Sequence, residues 1–374
     1  MTAFEQDVPP SELLAEVASQ QAEFAEAAPR LEDAAEFPWE HFRRLTALGV
    51  VKAGLPPPYG TASTPAVFVE LIESIAGGWV SLAEIVQLQC LTAIGLAKHG
   101  TPQLQEEYLP RAITGEWVGA NCFSEPASGS DLSHLETTAT RDGDGWVIDG
   151  HKAFVGQAGV ASFLNVYART SDAGLGGVSC FLVHADTPGV RVGAPMRKMG
   201  ARSLPTAPIT FDNVRVEPWR LIGRLNRGML VASSVFFLGR LGIAACATGL
   251  SLAAVDHSVR YAKKRVQFGR PVFQFQGISA LLADMATSTA AARQLLRHAA
   301  SHNESDRDSS LLVAQAKLFA TETAMRVTTD AVQVLGAYGY DCDNPVERWM
   351  REAKLLQIIE GTSQIQRVTI ASKL

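Results

Sequence analysis

The hydrophobic positions in the first third of the chain recur at the spacing of a helix. Leu13, Leu14 and Val17 form one such set, and apolar residues three or four positions apart share one face of a helix. Helix breakers interrupt the pattern at the proline-rich segment 56–60 and at the glycine pair 77–78. Residues 1–116 are therefore predicted to form an N-terminal α-helical domain.

Between residues 117 and 222 the pattern changes to short apolar or alternating runs. Segments 137–140, 146–148 and 181–183 have the composition of strands and are separated by Asp-Gly and Pro-Gly turns. Asp-Gly-Asp-Gly at 142–145 lies between two such runs and is typical of a β-hairpin. This part of the chain is predicted to be a middle β domain, either a barrel or a sandwich.

Helical spacing returns in the last part of the chain, residues 223–374. Long periodic stretches cover 228–265, 277–302 and 309–335, and helices of this length pack as antiparallel bundles. A C-terminal four-helix bundle is predicted. The expected fold class is therefore α+β with three domains in the order helices, β domain, helices.

Composition narrows the classes of partner and compartment. The net charge is -5 and no basic run of five or more residues occurs, so a nucleic-acid partner is not expected. Five cysteines, without any C-x-x-C pair, predict neither a disulfide framework nor a thiolate zinc site. The first residues are acidic and do not show the basic segment followed by an apolar segment that is typical of a secretory signal. Together with the cysteine content, this predicts a cytoplasmic protein.

Two features invite other interpretations. The apolar stretch 229–255 has the length of a membrane span, but Arg240 lies near its middle, where insertion costs roughly 2.5–3.5 kcal/mol. A buried helix without membrane insertion is predicted.

His298 and His302 have helical i,i+4 spacing, but no acid lies between them as in H-E-x-x-H, so no metal is expected.

Three segments combine residue types that bind polar ligands. Segment 121–131 is rich in hydroxyls and glycine around Pro126, and segment 265–276 offers arginines and aromatic rings that can contact a diphosphate and a purine. Segment 351–367 places Glu360 after an apolar run and before Gly361. Taken singly, they are also consistent with a polar loop, a charged inter-helix turn and an acid at a helix start capped by Thr362 or Ser363.

Taken together, in order and spacing, the three segments resemble the signature blocks of the acyl-CoA dehydrogenase family. The similarity extends to 100–103, 199–203, 333–339 and nearly the whole chain. It implies FAD as cofactor. The residues implied to line the flavin or reach its diphosphate, adenine and ribose are Phe123, Ser124, Gly129, Ser130, Phe154, Gly156, Arg265, Phe268, Gln276, Gln333, Gly336, Thr362 and Gln364.

The resemblance also implies a reaction and its partners. Glu360 aligns with the family's base, which takes the α-proton of an acyl thioester while flavin N5 accepts the β-hydride, leaving a 2-enoyl thioester. Ser130, Arg240 and Gly361 match positions near the substrate, although Arg240 is also consistent with a structural ion pair. In relatives, contacts such as those of Arg265 and Phe268 cross to a neighbouring subunit, so a homodimer or homotetramer and an electron-transfer flavoprotein as acceptor are implied.

Some positions depart from the family pattern. Gly156 stands where many relatives carry Thr or Ser, and Phe154 where Trp is usual. Changes at Ile359, Ala337 and the pair 236–237 suggest an unusual acyl group, carried by CoA or by an acyl carrier protein. A flavin-dependent monooxygenase or oxidase on the same fold is the alternative, which Glu360 argues against and Gly156 leaves open. A non-enzymatic acyl- or flavin-binding scaffold is a third interpretation.

Overall fold

The computed structural model describes residues 9–61 and 64–374. In this described part, six α-helices are followed by eight strands and then by six α-helices, with a short strand pair between the first two of these. The N-terminal helices are α1 (Pro10–Ser19), α2 (Gln21–Ala34), α3 (Trp39–Ala47), α4 (Ala66–Gly78), α5 (Val80–His99) and α6 (Pro102–Thr114).

Helix α5 is the centre of the N-terminal domain. Almost all of its residues are buried, and it contacts α4, α6 and strand β1 (Gly119–Cys122) as well as the C-terminal helices. A helix that is apolar on all sides is stable in water only when neighbours cover every face. The next helix, α6, starts sharply because the Thr101 hydroxyl accepts from Leu104 N and Pro102 occupies the first turn.

The middle strands form one eight-stranded sheet in the order β6-β7-β3-β2-β4-β5-β8, with β1 pairing in parallel with β4. Side chains of β3, β4, β5 and β7 meet in a single apolar cluster, so the sheet curls around its own core. The strands after β1 are β2 (Thr138–Asp142), β3 (Gly145–Gly156), β4 (Phe163–Arg169), β5 (Val178–His184), β6 (Val190–Val192), β7 (Thr206–Val216) and β8 (Leu221–Ile222).

The C-terminal part is a helical bundle built around α9, which contacts α7, α8 and α11. A short antiparallel pair, β9 (Val266–Gln267) and β10 (Arg270–Pro271), joins the first two long helices. The helices are α7 (Gly228–Lys264), α8 (Gln276–Ala300), α9 (Ser309–Leu335), α10 (Ala337–Tyr340), α11 (Pro345–Leu356) and α12 (Ser363–Ala371). The predicted fold class is confirmed.

Helices α5 and α7 are long and apolar enough to meet the length and composition test for a membrane span. In their most apolar windows, 89% and 67% of the residues are buried inside the protein. Their hydrophobicity is therefore used in packing: α7 contacts α4, α5, α8 and α9.

Candidate active site

A cavity of about 680 Å³ lies where the middle sheet, α5 and the end of α11 meet. This volume falls within the usual range for small-molecule sites, roughly 300–1,000 Å³. The predicted site residues that line it are Phe123, Ser124, Gly129, Ser130, Phe154, Gly156, Glu360, Gly361 and Thr362.

Glu360 lies in the turn between α11 and α12 and has a left-handed backbone conformation, with φ of 53°. Gly361 follows with φ of 85°, a conformation that glycine adopts without the steric cost of a side chain. The Gln366 amide braces the turn by donating to Glu360 O (3.2 Å) and Gly361 O (2.9 Å). Thr362 then caps α12 by accepting from Ile365 N. The local strain at Glu360 is thus held by its neighbours.

The Glu360 carboxyl group is removed from water although the residue as a whole is partly exposed. Its Oε2 is buried and has no hydrogen-bond partner in the described part of the chain. Burial raises the pKa of Glu360 to about 7, against the opposing charges of Arg240 and Lys317. Lys317 Nζ donates to Gly361 O at 2.9 Å. A carboxyl group with this pKa can exchange a proton near neutral pH.

The loop after β1 forms a second wall of the cavity and is held by a buried ion pair. Lys152 Nζ donates to Glu125 Oε1 at 2.7 Å and to Phe123 O at 3.1 Å. Burial acts to raise the pKa of Glu125, but Lys152, together with the backbone N–H groups of Glu136 and Thr137, outweighs burial, and the pKa lies below its usual value. Ser124 O also accepts from Ala153 N, so the loop and β3 are fixed to each other.

The end of β3 turns Phe154 toward the cavity. The pairing of β3 with β7 shifts register between Lys152 and Val155, and Phe154 in this bulge has φ of 57° and is 62% exposed. Bulges of this kind redirect a side chain. Gly156 follows and offers no hydroxyl to the cavity; a Cβ there would lie 3.0 Å from Leu88 Cδ1.

Aromatic rings fill the space beside Phe123. Its ring stacks on Tyr167 with centroids 4.0 Å apart and packs against Phe236 at 4.8 Å. Phe236 belongs to the unusual pair 236–237 of the sequence, so its ring occupies volume directly next to a cavity-lining residue.

The remaining predicted residues do not line this cavity. Arg240 does not line it, but the charges of Arg240 and Glu360 affect each other's pKa. Phe268 is 93% exposed, and Arg265 lies over the ring of Tyr338 with its guanidinium 5.4 Å from the centroid. The polar residues Gln276, Gln333 and Gln364 and the glycine Gly336 are exposed.

Several cavity residues have no counterpart among the predicted ones. The most notable are three ionisable groups in or beside it: Glu84 and Lys198 line the cavity, and Lys317 contacts the Glu360 turn. The sequence signal that could identify such a residue is an isolated charge in an apolar helical run, as in the segment around Glu84. Among the described residues, no group of three or more His, Cys, Asp or Glu is placed to hold a metal ion.

Glu360, with its strained backbone and desolvated carboxyl group, and the glycine- and serine-containing loop after β1 line the same cavity, where the three parts of the chain meet. Family models for the acyl-CoA dehydrogenase N-terminal, middle and C-terminal domains match residues 12–116, 120–214 and 226–374. The chain belongs to the acyl-CoA dehydrogenase family. It is accordingly an FAD-dependent oxidoreductase that acts on CH–CH groups.

Relatives of this acyl-CoA dehydrogenase family member span nearly its full length. Cyclohexane-1-carbonyl-CoA dehydrogenase of Geobacter metallireducens is 39% identical over 94% of this chain and 93% of its own. The structure of butyryl-CoA dehydrogenase from Megasphaera elsdenii superimposes with a TM-score of 0.93 at 31% identity, covering 100% and 99% of the two chains. The prolyl acyl carrier protein oxidase AnaB has a TM-score of 0.90 at 25% identity, covering 99% of each chain.

The cavity fits the FAD of the acyl-CoA dehydrogenase family. Its walls are mostly apolar, and polar groups are placed at a few points, as is typical of cofactor sites. Gln157 lines it with a buried Oε1 that has no hydrogen-bond partner in the described part of the chain. Ser124, Ser130 and Thr362 would hold the flavin end. The exposed set around Arg265 and Phe268 lies elsewhere on the surface.

Proposed function

We propose that the protein catalyses α,β-dehydrogenation of an acyl thioester, with Glu360 as the base. The observation that carries this proposal is the buried, unpartnered Oε2 of Glu360 at the edge of the cavity. The α C–H of a thioester is a weak acid, so its base must be desolvated and have a pKa near working pH. The pKa of Glu360, raised to about 7 by burial, meets this requirement.

Proton removal moves negative charge onto the thioester carbonyl oxygen, which then needs a hydrogen-bond donor. In the described part of the chain the Glu360 N–H donates to no other protein group, so it is available for this oxygen. Arg240 and Lys317 keep the carboxylate form of Glu360 accessible, since both charges lower its pKa. When bound, FAD supplies the acceptor for the hydride that leaves the β-carbon.

The thioester donor and the electron acceptor are inferred from the relatives and from the resemblance. The name of the Geobacter relative specifies a CoA ester and that of AnaB a carrier-protein ester; both donors present an acyl thioester to the site. We propose acyl-CoA or acyl carrier protein thioester as substrate and an electron-transfer flavoprotein as acceptor.

We also propose that the protein self-associates. Arg265, Phe268, Gln276, Gln333 and Gly336 are residues for which the resemblance implies FAD contacts, yet they do not line the cavity of their own chain. A homodimer or homotetramer, in which these residues reach the cofactor of a neighbouring subunit, accounts for both facts.

One observation favours the oxidase or monooxygenase alternative. Gly156 lacks a side-chain hydroxyl, and AnaB, whose name specifies an oxidase, shares the fold. The retained Glu360 is what favours dehydrogenation with a protein electron acceptor.

The test is anaerobic mixing of the FAD-loaded protein with a panel of acyl-CoA and acyl carrier protein thioesters. We expect one class to bleach the visible flavin absorbance, and the electron-transfer flavoprotein to restore it faster than oxygen does. Reoxidation mainly by oxygen with peroxide release would replace the dehydrogenase by an oxidase. No bleaching by any thioester, together with oxygen consumption driven by NAD(P)H, would instead support the monooxygenase.

A further inference from the structure

A second carboxyl group, that of Glu84, lines the cavity. Glu84 lies on α5 and is only 1% exposed, and its Oε1 has no hydrogen-bond partner in the described part of the chain. Glu84, Leu88 and Leu91 have i,i+4,i+7 spacing and so share one face of α5. Leu88 lines the cavity, and a Cβ on Gly239 would meet both Leu91 and the Glu360 carboxyl. This face of α5 therefore extends from Glu84 to the proposed base.

The nearby polar groups leave this oxygen unsatisfied. The Glu84 carboxyl hydrogen-bonds with the Cys246 thiol on α7. Lys198 Nζ donates to Leu204 O and Thr206 Oγ1, and Lys317 Nζ donates to Gly361 O. The positive charges of both lysines act on the Glu84 carboxyl group, but neither lysine donates a hydrogen bond to its Oε1.

An acceptor buried in a substrate cavity selects among ligands. A purely apolar acyl chain would leave Glu84 Oε1 buried and unpaired, which is unfavourable. A ligand with a hydroxyl or amino group would supply a direct hydrogen bond to this oxygen. Sites built to hydrogen-bond a substrate group discriminate strongly against the analogue that lacks it.

We propose that Glu84 is a specificity-determining residue that accepts a hydrogen bond from a hydroxyl or amino group on the acyl chain. The substrate class is then a polar acyl thioester, not a simple fatty acyl thioester. This inference rests on the proposed function, since it assumes that the acyl chain enters the cavity beside Glu360. It assigns Glu84 no part in proton or hydride transfer.

The test compares thioesters that differ only in one terminal group. 3-Hydroxypropionyl-CoA is paired with butyryl-CoA, and 4-hydroxybutyryl-CoA with pentanoyl-CoA, so that a hydroxyl replaces a methyl; 4-aminobutyryl-CoA adds the amine. Binding to the FAD-loaded Glu360→Gln protein is measured by calorimetry, so affinity is read without turnover. We expect at least one polar thioester to bind about tenfold or more tighter than its methyl partner.

Substitutions at Glu84 then identify the acceptor. Glu84→Leu should abolish or reverse the preference, and Glu84→Gln, which keeps an amide oxygen that can accept a hydrogen bond, should retain the hydroxyl preference. Glu352→Gln is the matched control, because Glu352 is also a buried carboxyl group but does not line the cavity. It should leave every preference unchanged.

Tighter binding of the methyl thioester in every pair, or a polar preference that survives Glu84→Leu, would overturn the inference. Flavin bleaching by the same thioesters is recorded with the wild-type protein. Bleaching without a polar preference would overturn the inference about Glu84 and leave the proposed dehydrogenation in place. A Glu84-dependent preference without bleaching defeats the proposed dehydrogenation and leaves Glu84 as a binding residue.

Discussion

The α-carbon of Gly239 lies directly against the carboxyl group of Glu360. A Cβ at Gly239 would lie 2.8 Å from Glu360 Cδ and 3.1 Å from Leu91 Cδ1, closer than nonbonded carbon atoms pack. Only the absence of a side chain on α7 at this point leaves room for the carboxyl group in its observed position. The position of the proposed base is therefore set by a residue on a different helix.

Gly239→Ala should displace the carboxyl group and lower kcat by about 10²-fold, the typical cost of misplacing a reacting group by about 1 Å. Flavin content should stay near that of the wild type, because Gly239 does not line the cavity wall formed by the 121–131 loop. Steady-state turnover and the flavin-to-protein absorbance ratio measure the two quantities.

Gly242→Ala is the control for this prediction. It is the same substitution on the same helix, but its Cβ would meet the Gln87 side chain, 2.5 Å from Cδ. We expect a lower Tm with kcat largely preserved. Equal losses of kcat in the two variants would show that Gly239 acts through general packing and not through Glu360.

The pH dependence should report the charge of Arg240. As a base, Glu360 is active when deprotonated, so kcat/KM should fall as pH drops below its pKa, which burial raises to about 7. Arg240 lowers that pKa; Arg240→Gln should therefore move the acidic limb to higher pH, and Arg240→Lys should move it back. An acidic limb that stays in place in both variants would contradict this coupling.

Stability should depend on pH through Glu352. Burial raises the pKa of Glu352 to about 8, against the opposing charge of Arg348, from an ordinary value of 4.5. Between these two pKa values Glu352 is protonated in the folded state and ionised in the unfolded state. Its contribution to the free energy of unfolding therefore falls by about 1.4 kcal/mol per pH unit as pH rises. Glu352→Gln should remove that slope.

Urea unfolding at about pH 5 and about pH 7.5 measures the difference between wild type and variant across this window. The same substitution at the exposed Glu40 should leave the pH slope of the free energy of unfolding unchanged. A Glu352→Gln variant with the wild-type slope would mean that Glu352 is already charged in the folded protein.

The exposed aromatic ring at 268 should matter for cofactor binding. Phe268 is 93% exposed in the single chain, where a large apolar side chain signals an interaction surface. If it reaches the cofactor of a neighbouring subunit, Phe268→Ala should reduce FAD retention on desalting although it is remote from the cavity. Leu374→Ala, at another highly exposed apolar residue, should have no such effect. Light scattering on the wild type and both variants shows whether a change in FAD retention accompanies a change in oligomeric state.

Features encoded in contiguous segments could be predicted. The Asp-Gly-Asp-Gly hairpin is confirmed: Asp142 lies opposite Gly145, and Gly143 has φ of 64°. The sequence bounds of the helix at Ser309–Leu335 agree with the structure because its apolar periodicity is unbroken. The base role of Glu360 is likewise implied by a resemblance whose motif residues are adjacent in the chain.

Features that depend on packing between distant segments could not be predicted. Glu84, Lys198 and Lys317 belong to three separate segments, and only the fold brings them into or beside one cavity. The bulge that exposes Phe154 depends on how β3 pairs with β7, which periodicity does not specify. The resemblance implies that Arg265 and Phe268 contact FAD, but these residues do not line the cavity of their own chain.

The most direct test of the central claim is rapid anaerobic mixing with a thioester that the wild-type protein oxidises, with hydrogen or deuterium at the α-carbon. If Glu360 removes the α-proton, deuterium should slow flavin reduction in the wild type, and Glu360→Gln should lower the rate by about 10²–10⁴-fold while thioester binding persists. Flavin reduction at the wild-type rate in Glu360→Gln would show that another group is the base.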